Sequence, residues 1–237
     1  MENIIKVSDG IMVARGDLGV EIPLEKLPCI QKRIIKETRK RNKICIVATE
    51  MLSSMENKIR PTRAEVSDVS NSVIDGVDAL MLSGETAVGM YPIESIRMMN
   101  NIILETEKSL DYHAFLQEKY TEKTNDSTAA LAYATVDVAN MLKTRAIVVS
   151  TVSGYTAKKV SIYRPYSPVV VTTPYEDVAR SLALNWGIIP FVVNELKSTD
   201  DIIESAKDVV RNLIDINEGD KIVITGGFPA KNVRGSN

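Results

Sequence analysis

The sequence predicts an α/β protein in two parts: a partial (β/α)8 barrel of three βα units, followed by a doubly wound parallel α/β domain. Three observations predict it. Short apolar runs alternate with amphipathic stretches along most of the 237 residues. In the first part the runs recur at a barrel-like interval, with Val13, Val47 and Met81 spaced 34 residues apart. After a polar stretch the alternation restarts at a different spacing.

The first strand, Gly10-Ile11-Met12-Val13-Ala14, runs into Arg15-Gly16-Asp17-Leu18-Gly19. The second, Ile44-Cys45-Ile46-Val47-Ala48, runs into Thr49-Glu50, and the third, Ala79-Leu80-Met81-Leu82, into Ser83-Gly84-Glu85-Thr86. All three are apolar at successive positions, the pattern of parallel strands covered on both faces. Helical patterns follow each of them. Pro23 and Leu24 open the first, with Leu27, Ile30, Ile34 and Ile35 as its apolar positions. Thr62-Arg63-Ala64-Glu65 reads as a capping box at the start of the second. Pro92 opens the third, with a dry stripe of Ile93, Ile96, Met99, Ile102 and Ile103. Three units cannot close an eightfold barrel, so residues 1–110 are expected to be a partial barrel whose edge strands lack partners.

Residues 111–126 lose the apolar period and read as a linker. Residues 127–237 read as a second domain. A helix over 127–143 leads to strand Ala146–Ser150; a helix after Gly154 leads to Val169–Thr172. A helix over 177–186 leads to Ile188–Val193, and one over 199–214 to Lys221–Thr225. Helices alternating with strands through short loops make a doubly wound parallel sheet.

Composition excludes several classes. A formal net charge of -2 gives no reason to expect nucleic acid or an anionic membrane as partner. The basic cluster Lys32, Arg33, Lys36, Arg39, Lys40, Arg41 and Lys43 has the spacing of one helix's solvated face and basic C-terminal end. Cys29 and Cys45 cannot build a disulfide framework or a cysteine-rich metal site, and unpaired thiols fit a reducing, cytoplasmic setting. The N-terminal stretch lacks the pattern of a signal peptide, and no apolar run has the length of a membrane span. His113 is expected at the surface and Trp186 in packing.

In parallel α/β folds the chemistry gathers at the carboxyl ends of the strands. Arg15, Gly16 and Asp17 stand at the first such end, Thr49 and Glu50 at the second, Ser83 and Glu85 at the third. Asp17 is a hard oxygen ligand suited to Mg²⁺, with Glu21 and Glu85 as candidate companions. Gly16 allows backbone N–H groups to approach an anion. Thr49 offers a neutral donor to phosphate or carboxylate, and Ser83 could hold a water or pass a proton. The competing reading makes Asp17, Thr49 and Ser83 ordinary helix caps. In the second domain, Ser150-Thr151-Val152-Ser153-Gly154-Tyr155-Thr156 joins a strand to a helix, either as an anion cradle or as a hydroxyl-rich cap.

Taken together, Val13-Ala14-Arg15-Gly16-Asp17-Leu18-Gly19-Val20-Glu21, Ala48-Thr49-Glu50-Met51-Leu52, Arg60-Pro61-Thr62-Arg63-Ala64-Glu65 and Met81-Leu82-Ser83-Gly84-Glu85-Thr86-Ala87 resemble the pyruvate kinase family, in order and in spacing. The likeness continues through Tyr91-Pro92 into the second domain. It implies phosphoryl transfer from phosphoenolpyruvate to ADP, giving pyruvate and ATP, with Mg²⁺ (or Mn²⁺) and K⁺ as cofactors. By this resemblance Asp17 is the metal ligand, and the backbone around Ala14, Arg15 and Gly16, with Asp17 and Thr49, binds phosphoenolpyruvate. Thr49 and Ser83 are the catalytic residues, Ser83 near the proton path. Thr151, Ser153, Gly154 and Thr156 match the family's effector-phosphate loop, which takes phosphorylated sugars or nucleotides, and a homotetramer is implied.

The chain also departs from the family pattern. Glu50 stands where Gln is common, and Val152 and Tyr155 stand where some members carry basic residues. The resemblance places a catalytic Lys, a second metal-binding acid and the K⁺ ligands before residue 1. It also continues through a final strand after Val233-Arg234-Gly235-Ser236-Asn237. Two readings follow: a piece of a pyruvate kinase that does not turn over alone, or a non-catalytic module that binds phosphorylated effectors.

Overall fold

The computed structural model describes residues 1–120, 126–195 and 198–226, and the chain divides into two compact units, Met1–Leu110 and Asp111–Asn237. The resemblance-based expectation about Val233–Asn237 lies outside the described residues.

In the first unit, β1 (Gly10–Ala14), β2 (Ile44–Ala48) and β3 (Ala79–Met81) lie parallel and in chain order, as the sequence predicts. Val13 stands opposite Val47, but Val47 stands opposite Leu80, so Met81 lies one position beyond the repeat. Asp78 sets this register. Its N–H donates to the Cys45 carbonyl at 2.9 Å and its carboxylate accepts from the Cys45 N–H at 3.0 Å.

The connecting helices are α3 (Leu27–Lys40), α4 (Arg63–Ile74) and α6 (Pro92–Glu107); shorter α1 (Glu2–Val7), α2 (Arg15–Glu21) and α5 (Gly84–Ala87) lie at strand ends. The capping box at Thr62 forms in full: Thr62 accepts from the Glu65 N–H, and Glu65 accepts from the Thr62 N–H. The stripe of α6 differs from expectation, because Ile93 and Ile96 are 57% and 56% exposed. Ser95, Met99, Ile102 and Thr106 make the buried face instead. The two hydroxyls can lie there because each donates to a carbonyl one turn back, Tyr91 and Ile102, at 2.8 and 2.7 Å.

Val13, Cys45 and Val47 pack into one core with Ile35, Val69, Met99 and Ile102 from the helices. The opposite sheet face is covered less well than the apolar strands predict. Met12 is 52% and Met81 37% exposed there, and a closed barrel turns this face inward.

In the second unit the expected linker contains α7 (Tyr112–Tyr120), whose Leu116 is fully buried in the unit's core. Leu116 anchors it together with ring contacts of Tyr112 to Tyr166 and Phe115 to Trp186, which are tertiary contacts that apolar periodicity does not reveal. The remaining helices are α8 (Ser127–Leu142), α9 (Tyr155–Ser161), α10 (Glu176–Leu182) and α11 (Thr199–Leu213). Strands β4 (Ala146–Ser150), β5 (Val169–Thr173), β6 (Ile188–Val192) and β7 (Ile222–Gly226) form a parallel sheet in the order β6-β5-β4-β7.

Both sheet faces here are covered. Ile147, Val149, Val169 and Val171 pack on Ala132, Val136, Ala157 and Val160, while Ala146, Val148 and Val170 pack on Ala206 and Val210. Trp186 is buried but lies beyond the end of α10, with the Arg164 guanidinium 5.1 Å from its ring centroid. His113 is exposed, as expected.

Candidate active site and effector loop

At the ends of β1, β2 and β3 the chain turns sharply three times. Helix α2 begins directly after β1, so its opening N–H groups have no acceptor within the helix. Thr49, just past β2, supplies one: the Gly16 N–H donates to Thr49 Oγ1 at 2.9 Å. That oxygen can still donate its own hydrogen to an anion, and accepting from Gly16 polarises it to do so. Thr49 and Glu50 both have left-handed backbone, with φ of 68° and 52°. For a β-branched residue this conformation costs about 1–3 kcal/mol and persists only where the surroundings impose it.

Two buried charged side chains impose it. Arg15 donates twice to the Thr49 carbonyl, from Nε at 3.0 Å and from Nη2 at 2.6 Å, and pairs with Asp68 through Nη1. Glu85, 1% exposed, accepts from the Leu52 N–H and the Ser83 N–H, both at 2.8 Å. One carboxylate therefore ties the loop after β2 to the loop after β3. Glu65 adds a third tie, accepting from the Ser54 N–H at 2.7 Å and from the Ser54 hydroxyl at 2.6 Å.

The helix-cap reading of these residues does not describe the geometry. Ala14 and Ser83 occupy the N-cap positions of α2 and α5, and neither residue's own side chain caps the helix that follows it. Asp17 lies exposed in the first turn of α2. Ser83 Oγ is buried with no hydrogen-bond partner among the described residues. A buried hydroxyl without a partner is costly in a purely structural role and useful where a ligand or transferable proton meets it.

The metal expectation is met only in part by the donor set. Glu85 is committed to two backbone N–H groups, and Glu21 is exposed at the far end of α2. No group of three or more metal-ligating side chains exists among the described residues. Asp17 can contribute one oxygen to a divalent cation, so these residues do not complete a cation site.

Sequence reasoning missed the holding roles of Arg15, Glu65 and Glu85. A buried Glu two residues after Ser83 reads like any polar loop residue. Only the fold brings its carboxylate to Leu52.

In the second unit, the turn after β4 is closed by its own hydroxyls. Thr151 Oγ1 accepts from the Gly154 N–H at 3.0 Å and Ser153 Oγ from the Tyr155 N–H at 3.4 Å. Gly154 is left-handed at φ 78°, and a side chain there would press on Leu182 and Val178. Thr156 follows within the first turn of α9. The sheet order places this turn at the topological switch point, because β4 has β5 on one side and β7 on the other. Open α/β sheets bind their ligands outside the strand ends at such a point.

Comparison with known proteins accounts for both halves. The family models for the pyruvate kinase barrel domain and the pyruvate kinase alpha/beta domain match residues 1–96 and 129–237. A pyruvate kinase of Clostridium perfringens is 48% identical across 100% of this chain, which covers 50% of that protein. One from Sporosarcina psychrophila is 45% identical over 97% of the chain and 39% of its own length. A solved pyruvate kinase structure from Cryptosporidium parvum superposes with a TM-score of 0.91 at 36% identity, over 95% of this chain and 46% of that one. The chain thus spans about half the length of such relatives, and with both its sheets matched it belongs to the pyruvate kinase family.

Proposed function

We propose that residues 1–110 carry part of the phosphoenolpyruvate pocket of a glycolytic pyruvate kinase, a phosphotransferase. The observation that carries this reading is the Gly16–Thr49 contact, which fixes the Thr49 hydroxyl, with its own hydrogen still to donate, against the start of α2 at the ends of two register-paired strands. In the reaction the bond between phosphorus and the enol oxygen breaks, and a new one forms to a terminal oxygen of ADP. The enolate left behind takes a proton at its methylene carbon to become pyruvate. Thr49 and the backbone around Ala14, Arg15 and Gly16 hold the anion, while Ser83 stands on the proton path. Positioning and charge neutralisation supply most of the rate in such transfers. Mg²⁺ or Mn²⁺, when bound, neutralises phosphoryl charge. Asp17 is the ligand offered here; further ligands, and those for K⁺, must come from other residues. A cytoplasmic homotetramer is the assembly that the family implies.

A single carboxylate holds metal and phosphoryl charge poorly, so the 237-residue chain alone is expected to show no turnover. Pyruvate formation from phosphoenolpyruvate and ADP with Mg²⁺ and K⁺ tests this; activity above background that Asp17→Ala removes would sink the claim. Fused behind the preceding barrel segment of the Clostridium perfringens relative, the chain is expected to turn over. Thr49→Ala should then lower kcat/KM by about 100-fold.

The turn at the switch point favours a second activity, binding of a phosphorylated effector by Thr151, Ser153, Gly154 and Thr156. Fructose 1,6-bisphosphate, glucose 6-phosphate and AMP, titrated while following Trp186 fluorescence, test it. No response to any of the three counts against an effector site.

A further inference from the structure

The loop from Thr151 to Thr156 contains no basic residue, so hydroxyls and backbone N–H groups are the donors it offers a phosphate. A phosphate monoester carries close to two negative charges at neutral pH and needs a cation or several free donors. A cation stands one turn into α9, at Lys159, but Asp126 holds it. The Lys159 ammonium lies 2.8 Å from Asp126 Oδ2, and the same oxygen accepts from the Tyr155 hydroxyl at 2.9 Å. The other oxygen, Oδ1, caps α8 by accepting from the N–H groups of Thr128 and Ala129. The Lys159 nitrogen also sits 5.1 Å from the Tyr155 ring centroid. One carboxylate thus gathers the loop's own tyrosine, the nearby lysine and the start of α8.

We propose that Asp126 is an internal counter-anion for this loop, holding Lys159 and the Tyr155 hydroxyl so that a phosphorylated ligand binds only by displacing it. The proposal rests on the effector-loop reading and adds its regulation. A phosphate arriving at the loop must compete with a tethered carboxylate for the same ammonium and the same hydroxyl. Tethering gives that carboxylate a high effective concentration. The bonds from Lys159 and Tyr155 hold the Asp126 carboxyl at about 2, so it stays ionised and engaged across the neutral range. Lys158, next along α9, is exposed and takes no part in this contact.

Asp126→Asn tests the proposal in the full chain, because Asn keeps a capping oxygen while losing the charge. Isothermal titration with fructose 1,6-bisphosphate, and separately with inorganic phosphate, should show binding about tenfold tighter than in the parent. Adding Lys159→Gln should remove that gain, whereas adding Lys158→Gln should leave most of it. Circular dichroism melts confirm that each variant is folded. Should Asp126→Asn not fold, Asp126→Ser, which also keeps a capping oxygen and loses the charge while leaving Lys159 and the Tyr155 hydroxyl in place, should tighten binding likewise. Equal affinity in parent and variants overturns the counter-anion role while leaving the effector reading in place. Absence of binding by every protein at millimolar ligand removes both.

Discussion

Arg15 and Glu85 bear on the candidate active site without offering their charges to a ligand. Each lies buried and holds the loop that carries Thr49, Arg15 through the Thr49 carbonyl and Glu85 through the Leu52 N–H. A carboxylate that accepts from two buried N–H groups is expensive to remove, since each orphaned donor costs about 1–3 kcal/mol. Glu85→Ala should therefore lower unfolding stability of the first unit by about 2–4 kcal/mol, and urea unfolding followed by far-UV circular dichroism measures it. Glu85→Gln, with one carbonyl oxygen to share, should fall between parent and Ala. Arg15→Lys cannot reproduce the forked contact to Thr49 and Asp68, so it should release the left-handed backbone at Thr49 and Glu50.

Asp126 makes a second residue-scale prediction, through pH. Its carboxyl is depressed from 3.8 to about 2, first by the bond from Lys159 and then by that from Tyr155. The unfolded chain therefore takes up the proton before the folded one does, and stability must rise with pH across that interval. The contribution is complete above about 4 and is lost as pH falls towards 2. Partial exposure discounts it to on the order of 1 kcal/mol. Thermal melts of parent and Asp126→Asn should converge as pH drops from 5 to 2; a constant gap would contradict the assignment.

At the scale of elements, the helices differ in how they are held. Helix α4 is specified locally, by its complete capping box at Thr62 and Glu65. Helix α7 is specified by Leu116, buried with Ala132, Val136 and Tyr163 in the second unit's core. Edge-to-face packing of Tyr112 on Tyr166, with ring centroids 5.3 Å apart, adds to that anchor. Leu116→Ala should cost about 2–5 kcal/mol and raise hydrogen exchange across α7 well before the sheet opens. Thr62→Ala should cost only about 1 kcal/mol and leave exchange in the second unit unchanged.

For the molecule as a whole, the two sheets are finished to different degrees. The four-stranded sheet is covered by helices on both faces. The three-stranded sheet has a core on one face, while Met12 and Met81 stand exposed on the other and β1 and β3 each have one paired edge. Exposed apolar strands with open edges associate. The 237-residue chain should therefore self-associate with rising concentration in sedimentation velocity, and Met12→Lys with Met81→Lys should reduce this without unfolding the second unit. Unchanged sedimentation in the double variant would locate the contact elsewhere.

Much of this was legible in the residues alone. Alternating apolar runs are a local record of parallel α/β structure and marked the strands, while the Thr62 capping box and the strand-to-helix loop at Ser150–Thr156 were legible in their own residues. The motifs around Asp17, Thr49 and Ser83 likewise marked the strand ends where chemistry collects. Tertiary structure decided the rest, for a physical reason common to each case. The one-residue offset at Met81, the rotated stripe of α6, the helix inside 111–126, the straps from Arg15 and Glu85, and the Asp126–Lys159 contact all depend on groups far apart in sequence meeting in space. Periodicity reports which side of an element is dry. It carries no information about which distant carboxylate will reach an orphaned N–H or an ammonium.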